Sequence, residues 1–291
     1  MPYISEKIWI PLVLFYGICK GAREILKKKA LQKNTVLEIL LVYTVTSFIL
    51  VIPSAPEAFK INSPLLYLAI ALKSLFVFIA WICGFAALSK MPVSICGILD
   101  LSGVIFSTLF AVCILGESLS LTIIIGILLV CLGLFFLKFQ PKNKRIGQEK
   151  IALKYILLSF CYTMFNSASG TMDKLLRAKN TVSVNQLQFW FMFFLSLYYI
   201  IYFIVRRIPV NLKSTLKNYK IYIMSLLLIL GDKALFIANA GSSKVAVMTL
   251  LKQAGCICVI IGGRVFFGEK NTMYKLFCAV IIITGMVVAT F

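Results

Sequence analysis

The sequence predicts an all-α membrane protein of ten transmembrane helices, arranged as two inverted five-helix repeats. Three observations carry that expectation. Of the 291 residues, 61% are hydrophobic and only 14% are charged, an apolar share far above that of soluble domains. The apolar residues gather in ten runs, each close to the roughly 20 residues that a helix needs to cross a bilayer. And the stretch from Ala86 to Phe139 recurs, without a gap, 152 positions later as Ala238 to Phe291.

Under that offset Val93 meets Val245, Leu99 meets Leu251, Gly103 meets Gly255 and Ile105 meets Ile257. The pair Gly116-Glu117 meets Gly268-Glu269, and Gly133 meets Gly285. Shared apolar composition explains matching leucines and isoleucines. It does not explain a repeated Gly-Glu followed at one distance by a repeated Gly, which points to an internal duplication. The first helices align at an offset of 149, with Gly21 on Gly170, Glu24 on Asp173, Leu26 on Leu175 and Lys28 on Arg177.

The predicted spans of the first half are Ile8–Leu26, Thr35–Ile52, Leu65–Leu88, Val93–Leu115 and Leu119–Leu137. Those of the second half are Ile151–Met172, Val184–Val205, Ile221–Asn239, Val245–Phe267 and Thr272–Thr290. Between the halves lies KFQPKNKRIGQEK, polar and basic. The expected organisation is a first repeat at residues 1–140, a linker at 141–150 and a second repeat at 151–291. An odd number of spans in each repeat makes the second enter the membrane from the opposite side. No stretch is left for a soluble domain.

The net charge of +20 does not imply nucleic-acid binding. Most basic residues sit in short loops, where anionic lipid of the cytoplasmic leaflet attracts them. Seventeen lie in loops on the face that carries the linker and six on the other. The positive-inside rule then puts the linker in the cytoplasm and both termini outside. The start MPYISEKIW lacks a clean basic region ahead of the first apolar run, so no cleavable signal peptide is expected. Histidine is absent, which removes histidine bases, histidine metal ligands and histidine-containing triads. The nine cysteines all fall in apolar runs and read as small buried hydrophobes. Cys256 and Cys258 are two apart and do not share a helix face. No metal and no cofactor is expected.

Charged groups inside a membrane span are costly, so they face the bundle interior and pair. Asp100 in the fourth span and Lys252 in the ninth are equivalent under the repeat and opposite in charge, which makes them expected partners. Asp232 and Lys233 lie in the eighth span, with Asn239 two turns beyond Asp232. Trp81 holds the position equivalent to Lys233. Lys73 in the third span and Lys20 late in the first complete the charged set, though long side chains near helix ends also reach outward to the interface. Asn166 and Gln253 add polar groups in the sixth and ninth spans. Glu117 and Glu269 read as caps for the helices that follow them. The glycines at 97, 103, 255, 262 and 263, and at 126, 133 and 285, read as points of close helix approach.

Ten helices as five plus five, each half closing with Gly-Glu, a polar turn and an apolar helix with a late Gly, resembles the drug/metabolite transporter superfamily, and the halves resemble its EamA domains. Where that family's fourth helix often has a central proline, this chain has Asp100. The resemblance implies a secondary transporter for small metabolites, with a central cavity lined by helices 1, 3, 4, 6, 8 and 9, and with both termini inside, the reverse of what the charge count gives. The candidate cations Lys20, Lys73, Lys233 and Lys252 outnumber the candidate anions Asp100 and Asp232 by two. Unpaired ammonium groups in a low-dielectric space favour an arriving anion, so the expected substrate is anionic or zwitterionic, an amino acid or organic acid. The expected partners are that substrate and the lipid bilayer, with protons as a possible coupling ion and no nucleic acid. The expected location is the plasma membrane of a prokaryote. An intramembrane aspartyl protease using Asp100 and Asp232 is the enzyme alternative, and its Gly-x-Gly-Asp motif is absent around Asp232. Transport of neutral or cationic compounds is the other.

Overall fold

A computed structural model describes residues 9–60, 63–115, 121–138, 152–177, 181–207, 212–239, 252 and 254–290. All regular structure among them is helical. The first half comprises α1 (Trp9–Leu31), α2 (Val36–Val51), a 3-10 turn (Ile52–Ser54) with short α3 (Ala55–Ala58), α4 (Pro64–Lys90), α5 (Val93–Asp100), α6 (Gly103–Leu115) and α7 (Leu121–Lys138). The second comprises α8 (Leu153–Arg177), α9 (Val184–Arg206), short α10 (Leu212–Leu216), α11 (Tyr219–Asn239), α12 (Ala254–Phe267) and α13 (Thr272–Thr290).

Five helical stretches are long and apolar enough to cross a bilayer: Val36–Ala58, Pro64–Lys90, Val93–Ile114, Val184–Arg206 and Tyr219–Ala238. Ile124–Phe136, Gly255–Phe267 and Thr272–Gly285 are shorter apolar helices. The outer surface is apolar, with Leu65, Ile204 and Val205 about 70% exposed, as a surface facing hydrocarbon requires. Helices α1 and α8 are long but not uniformly apolar. Lys20, Arg23, Glu24 and Lys27 lie in α1, and Ser159, Thr163, Asn166, Ser167 and Asp173 in α8. These two helices supply most of the polar lining described below.

Helix α1 runs to Leu31, past the expected end at Leu26. Two contacts explain the extension. Lys27 is buried, and the Lys28 ammonium donates to the free carbonyls at the end of α4, at 2.6 Å from Leu88 O and 2.8 Å from Met91 O. Helix α8 likewise passes Met172 because Arg177, 6% exposed, donates to Phe236 O and Val182 O. The expected fourth span is two helices, α5 and α6. The chain turns at Leu101 and Ser102 through i→i+3 bonds, Leu101 N to Ile98 O and Ser102 N to Leu99 O, so the break falls directly after Asp100. The beginning of the expected span Val245–Phe267 lies outside the described residues.

The second helix of each half starts with a capping box. Thr35 and Glu38 exchange side-chain and backbone bonds at the start of α2, and Ser183 and Gln186 do the same for α9. Two orphan donors are satisfied at each start.

Helices of the first half pack on those of the second. Helix α1 lies against α11 and α12, α8 against α4 and α6, α2 against α9, α5 against α12, and α7 against α13. Small residues permit the closest crossings. A Cβ on Gly21 would stand 2.7 Å from Gly255 O, and one on Gly255 would overlap Gly17 O. Where α7 meets α13, a Cβ on Gly285 would stand 2.8 Å from Gly126 O. The main apolar core gathers around Tyr43, Trp81, Met192, Leu195 and Tyr199, between α2, α4 and α9.

Glu117 lies outside the described residues. Glu269 does form a cap, but for a helix of the other half. Its carboxylate accepts from Val93 N at 2.6 Å and Ser94 N at 3.3 Å, at the start of α5. Gly268, at φ +62°, turns the chain after α12 so that Glu269 folds back toward α5.

Candidate functional site

Helices α1, α4, α5, α6, α8, α9 and α11, with Lys252, line a cavity of about 240 Å³. A narrower chamber of about 30 Å³ adjoins it and shares Lys20, Glu24, Lys27, Asp100, Tyr162 and Lys252. Six cations line the wider chamber (Lys20, Arg23, Lys27, Lys73, Lys174 and Lys252) against four anions (Glu24, Asp100, Asp173 and Asp232). The uncharged wall is amphipathic. Trp81, Phe191 and Phe236 form one side, and Thr163, Asn166 and Ser167 of α8 form another.

Three ion pairs tie this lining together. Lys20 of α1 pairs with Asp100 at the helix break. Lys73 of α4, 2% exposed, pairs with Asp173 of α8 at 3.1 Å, and its ammonium lies 3.5 Å from the centroid of Phe191. Lys27 pairs with Glu24 one turn earlier at 2.5 Å. Each pair offsets the cost of holding its charges away from water. Arg23, Asp232 and Lys252 are left out of such pairs among the described residues. Arg23 is 6% exposed. One of its terminal nitrogens reaches Tyr43 Oη at 3.5 Å, while its Nε has no hydrogen-bond partner. A guanidinium carries five donors, so most of its capacity is unfilled.

Of the residues expected from sequence, Lys20, Lys73, Trp81, Asp100, Asn166, Asp232 and Lys252 meet in this cavity. Trp81 also stacks on Tyr43, with centroids 5.2 Å apart. Lys233 does not join them. It is exposed on the outer surface, because neighbouring helical residues point about 100° apart and Asp232 takes the inward direction. The side chains of Asn239 and Gln253 lie outside the described residues. The expected Asp100–Lys252 pair is not formed. Asp100 takes Lys20 instead, which therefore does not reach out to the interface.

Sequence reasoning passed over Arg23, Glu24, Lys27, Tyr162, Asp173 and Lys174. One signal for α8 was present: Ser159, Thr163, Asn166, Gly170 and Asp173 recur every three or four residues, the spacing of one helix face. A signal for α1 was the alignment of Glu24 with Asp173 at the 149-residue offset.

The fold and its site define a multi-pass helical membrane protein with a charged internal cavity. Residues 7–139 match the EamA-like transporter family, which is consistent with an EamA domain of the drug/metabolite transporter superfamily in the first half of the chain. A solved structure described only as the crystal structure of a protein is similar over 97% of this chain and 96% of its own, with a TM-score of 0.65 at 16% identity. At that identity the likeness concerns the fold alone. No curated protein matches the chain.

Proposed function

We propose that the chain is a secondary transporter that moves a small anionic or zwitterionic metabolite, an amino acid or organic acid, by alternating access through this cavity. Arg23 carries the reading. It is a buried guanidinium in the cavity wall with an unfilled donor and no carboxylate within ion-pair distance among the described residues. A substrate carboxylate matches a planar fork of donors. Lys252 adds a second cation, and Asp232 offers an acceptor for a substrate ammonium. The aromatic wall suits an apolar substrate side chain.

The mechanism takes the chain as ten spans in two inverted repeats. The helix pairs agree with that symmetry, since α1 with α11 corresponds to α8 with α4, and α1 with α12 corresponds to α8 with α6. The paired capping boxes of α2 and α9 agree as well. The repeats would be residues 1–140 and 151–291, with the basic linker between them. Rocking one against the other exposes the cavity to each face in turn, with protons as the candidate coupling ion. The protease alternative requires Asp100 and Asp232 to share a proton. Asp100 is committed to Lys20, so that reading is not favoured.

A screen of the purified protein by thermal unfolding tests the substrate class. Ligands that bind only the folded state raise its stability, by about 2.7 kcal/mol at a hundred times Kd. Amino acids or organic acids are expected to raise Tm. Stabilisation by nucleosides or lipophilic cations alone would contradict the reading.

The linker is expected to face the cytoplasm of a prokaryotic plasma membrane. Lys27, Lys28 and Lys275 are engaged inside the protein, as are Lys174 and Arg177 on the other face. Removing both groups leaves fourteen basic residues against four, so the asymmetry persists. A reporter active only in the cytoplasm should be silent when fused to the C-terminus, and activity there would reverse the topology.

A further inference from the structure

The narrow chamber ends in an apolar plug. Leu88, Val93 and Val259, each at most 2% exposed, pack with Cys96 and Phe267 around it. Just outside the plug lies a buried polar cluster that joins the two halves. The Glu269 carboxylate accepts from Val93 N, Ser94 N and the Ser94 hydroxyl. Lys275 of α13, 3% exposed, donates to the same carboxylate at 2.9 Å and to Ser94 Oγ at 2.6 Å. Gly263 leaves the room, since a Cβ there would stand 3.0 Å from the carboxylate. Lys28 fastens α1 to the end of α4 beside it. This face is the one where α7 ends, because Tyr274 at the start of α13 donates to Phe136 O at 2.7 Å. It is therefore the linker face.

The duplication makes the cluster one-sided. At the 152-residue offset, Val93, Ser94, Glu269 and Lys275 correspond to Val245, Ala246, Glu117 and Ile123. The carboxylate is kept in both halves, but the hydroxyl and the ammonium occur only once. We propose that Glu269, Ser94 and Lys275 form a latch that holds the cavity closed on the linker face, and that this set of side chains is specific to that face, since the symmetry-related positions keep only the carboxylate. Opening toward the linker requires the start of α5 to part from the α12–α13 turn. That breaks charge-assisted bonds to Glu269 and exposes two buried charges. The role of the latch rests on alternating access, but its test needs no substrate.

Cys96 reports the opening, since it lines the narrow chamber and packs against the plug. The rate at which a membrane-impermeant maleimide modifies Cys96 would be measured by mass spectrometry in membrane vesicles of both polarities. Losing one charge-assisted hydrogen bond shifts such an equilibrium by about tenfold. Glu269→Gln is expected to speed labelling from the linker face about tenfold while leaving the opposite face unchanged. Ser94→Ala, which installs the residue found in the other half, should act in the same direction by about threefold. It carries the test if Glu269→Gln is not recovered folded. Unchanged labelling from the linker face, or an equal rise from both faces, would overturn the latch. Failure of every candidate substrate to bind would contradict the transport reading and leave the labelling result intact.

Discussion

Asp100→Asn is expected to destabilise the protein by about 3 kcal/mol, and adding Lys20→Met is expected to recover at least half of that loss. The single change leaves the Lys20 ammonium facing a low-dielectric cavity without its partner. Breaking a buried pair in this way costs about 3–5 kcal/mol, whereas removing both charges is often close to neutral. The Lys20 and Asp100 side chains are 20% and 16% exposed, which favours the lower end of that range. Asp100 also stands at the turn between α5 and α6, so an unpaired Lys20 would disturb a break in the helix as well as a charge balance. Chemical denaturation in detergent of the two single variants and the double variant measures the coupling. The cycle made with Asp100→Asn and Lys252→Met should show much weaker coupling, because those side chains are not ion-paired. Strictly additive losses for Lys20 and Asp100 would show that their contact contributes nothing.

The helical membrane class was legible because the apolar residues gather in long runs with few charges. The late glycine Gly285 is where α13 meets α7, and Asp100, Asp232, Lys73 and Lys252 meet in one cavity. Depth along a helix was readable by counting. Direction around it was not, since lipid-facing and core-facing surfaces are both apolar and leave weak periodicity. Lys233 was misplaced for that reason, one residue from an inward Asp232. The partner of Asp100 was also beyond reach, because Lys20 and Lys252 lie at similar depths on different helices. Lys27 was missed because it adjoins Lys28 and Lys29, and a basic run reads as the end of a span, whereas Arg23 lay inside the expected span Ile8–Leu26 and was passed over. Structurally the helix continues, because Lys28 caps α4. Glu269 was recognised as a capping group but assigned to the wrong helix, since its target is 175 residues away in sequence.

The second large effect concerns Arg23 and Lys252, two cavity cations without ion-pair partners among the described residues. Arg23→Gln and Lys252→Gln are each expected to weaken binding of a carboxylate substrate by at least about thirtyfold, or about 2 kcal/mol. That is the lower end of the cost of removing one member of a buried, hydrogen-bonded charge pair. Arg23→Lys should restore little, because an ammonium cannot reproduce a bidentate fork. Lys233→Gln should be neutral, since that side chain lies on the outer surface.

Radiotracer exchange in proteoliposomes tests the cavity's charge preference most directly. The wild-type protein is expected to exchange an amino acid or organic acid. The Arg23 and Lys252 variants should need at least about thirtyfold more substrate for half-saturation, and Lys233→Gln should match the wild type. Exchange of lipophilic cations by the wild type, undiminished in the Arg23 and Lys252 variants, would contradict the account.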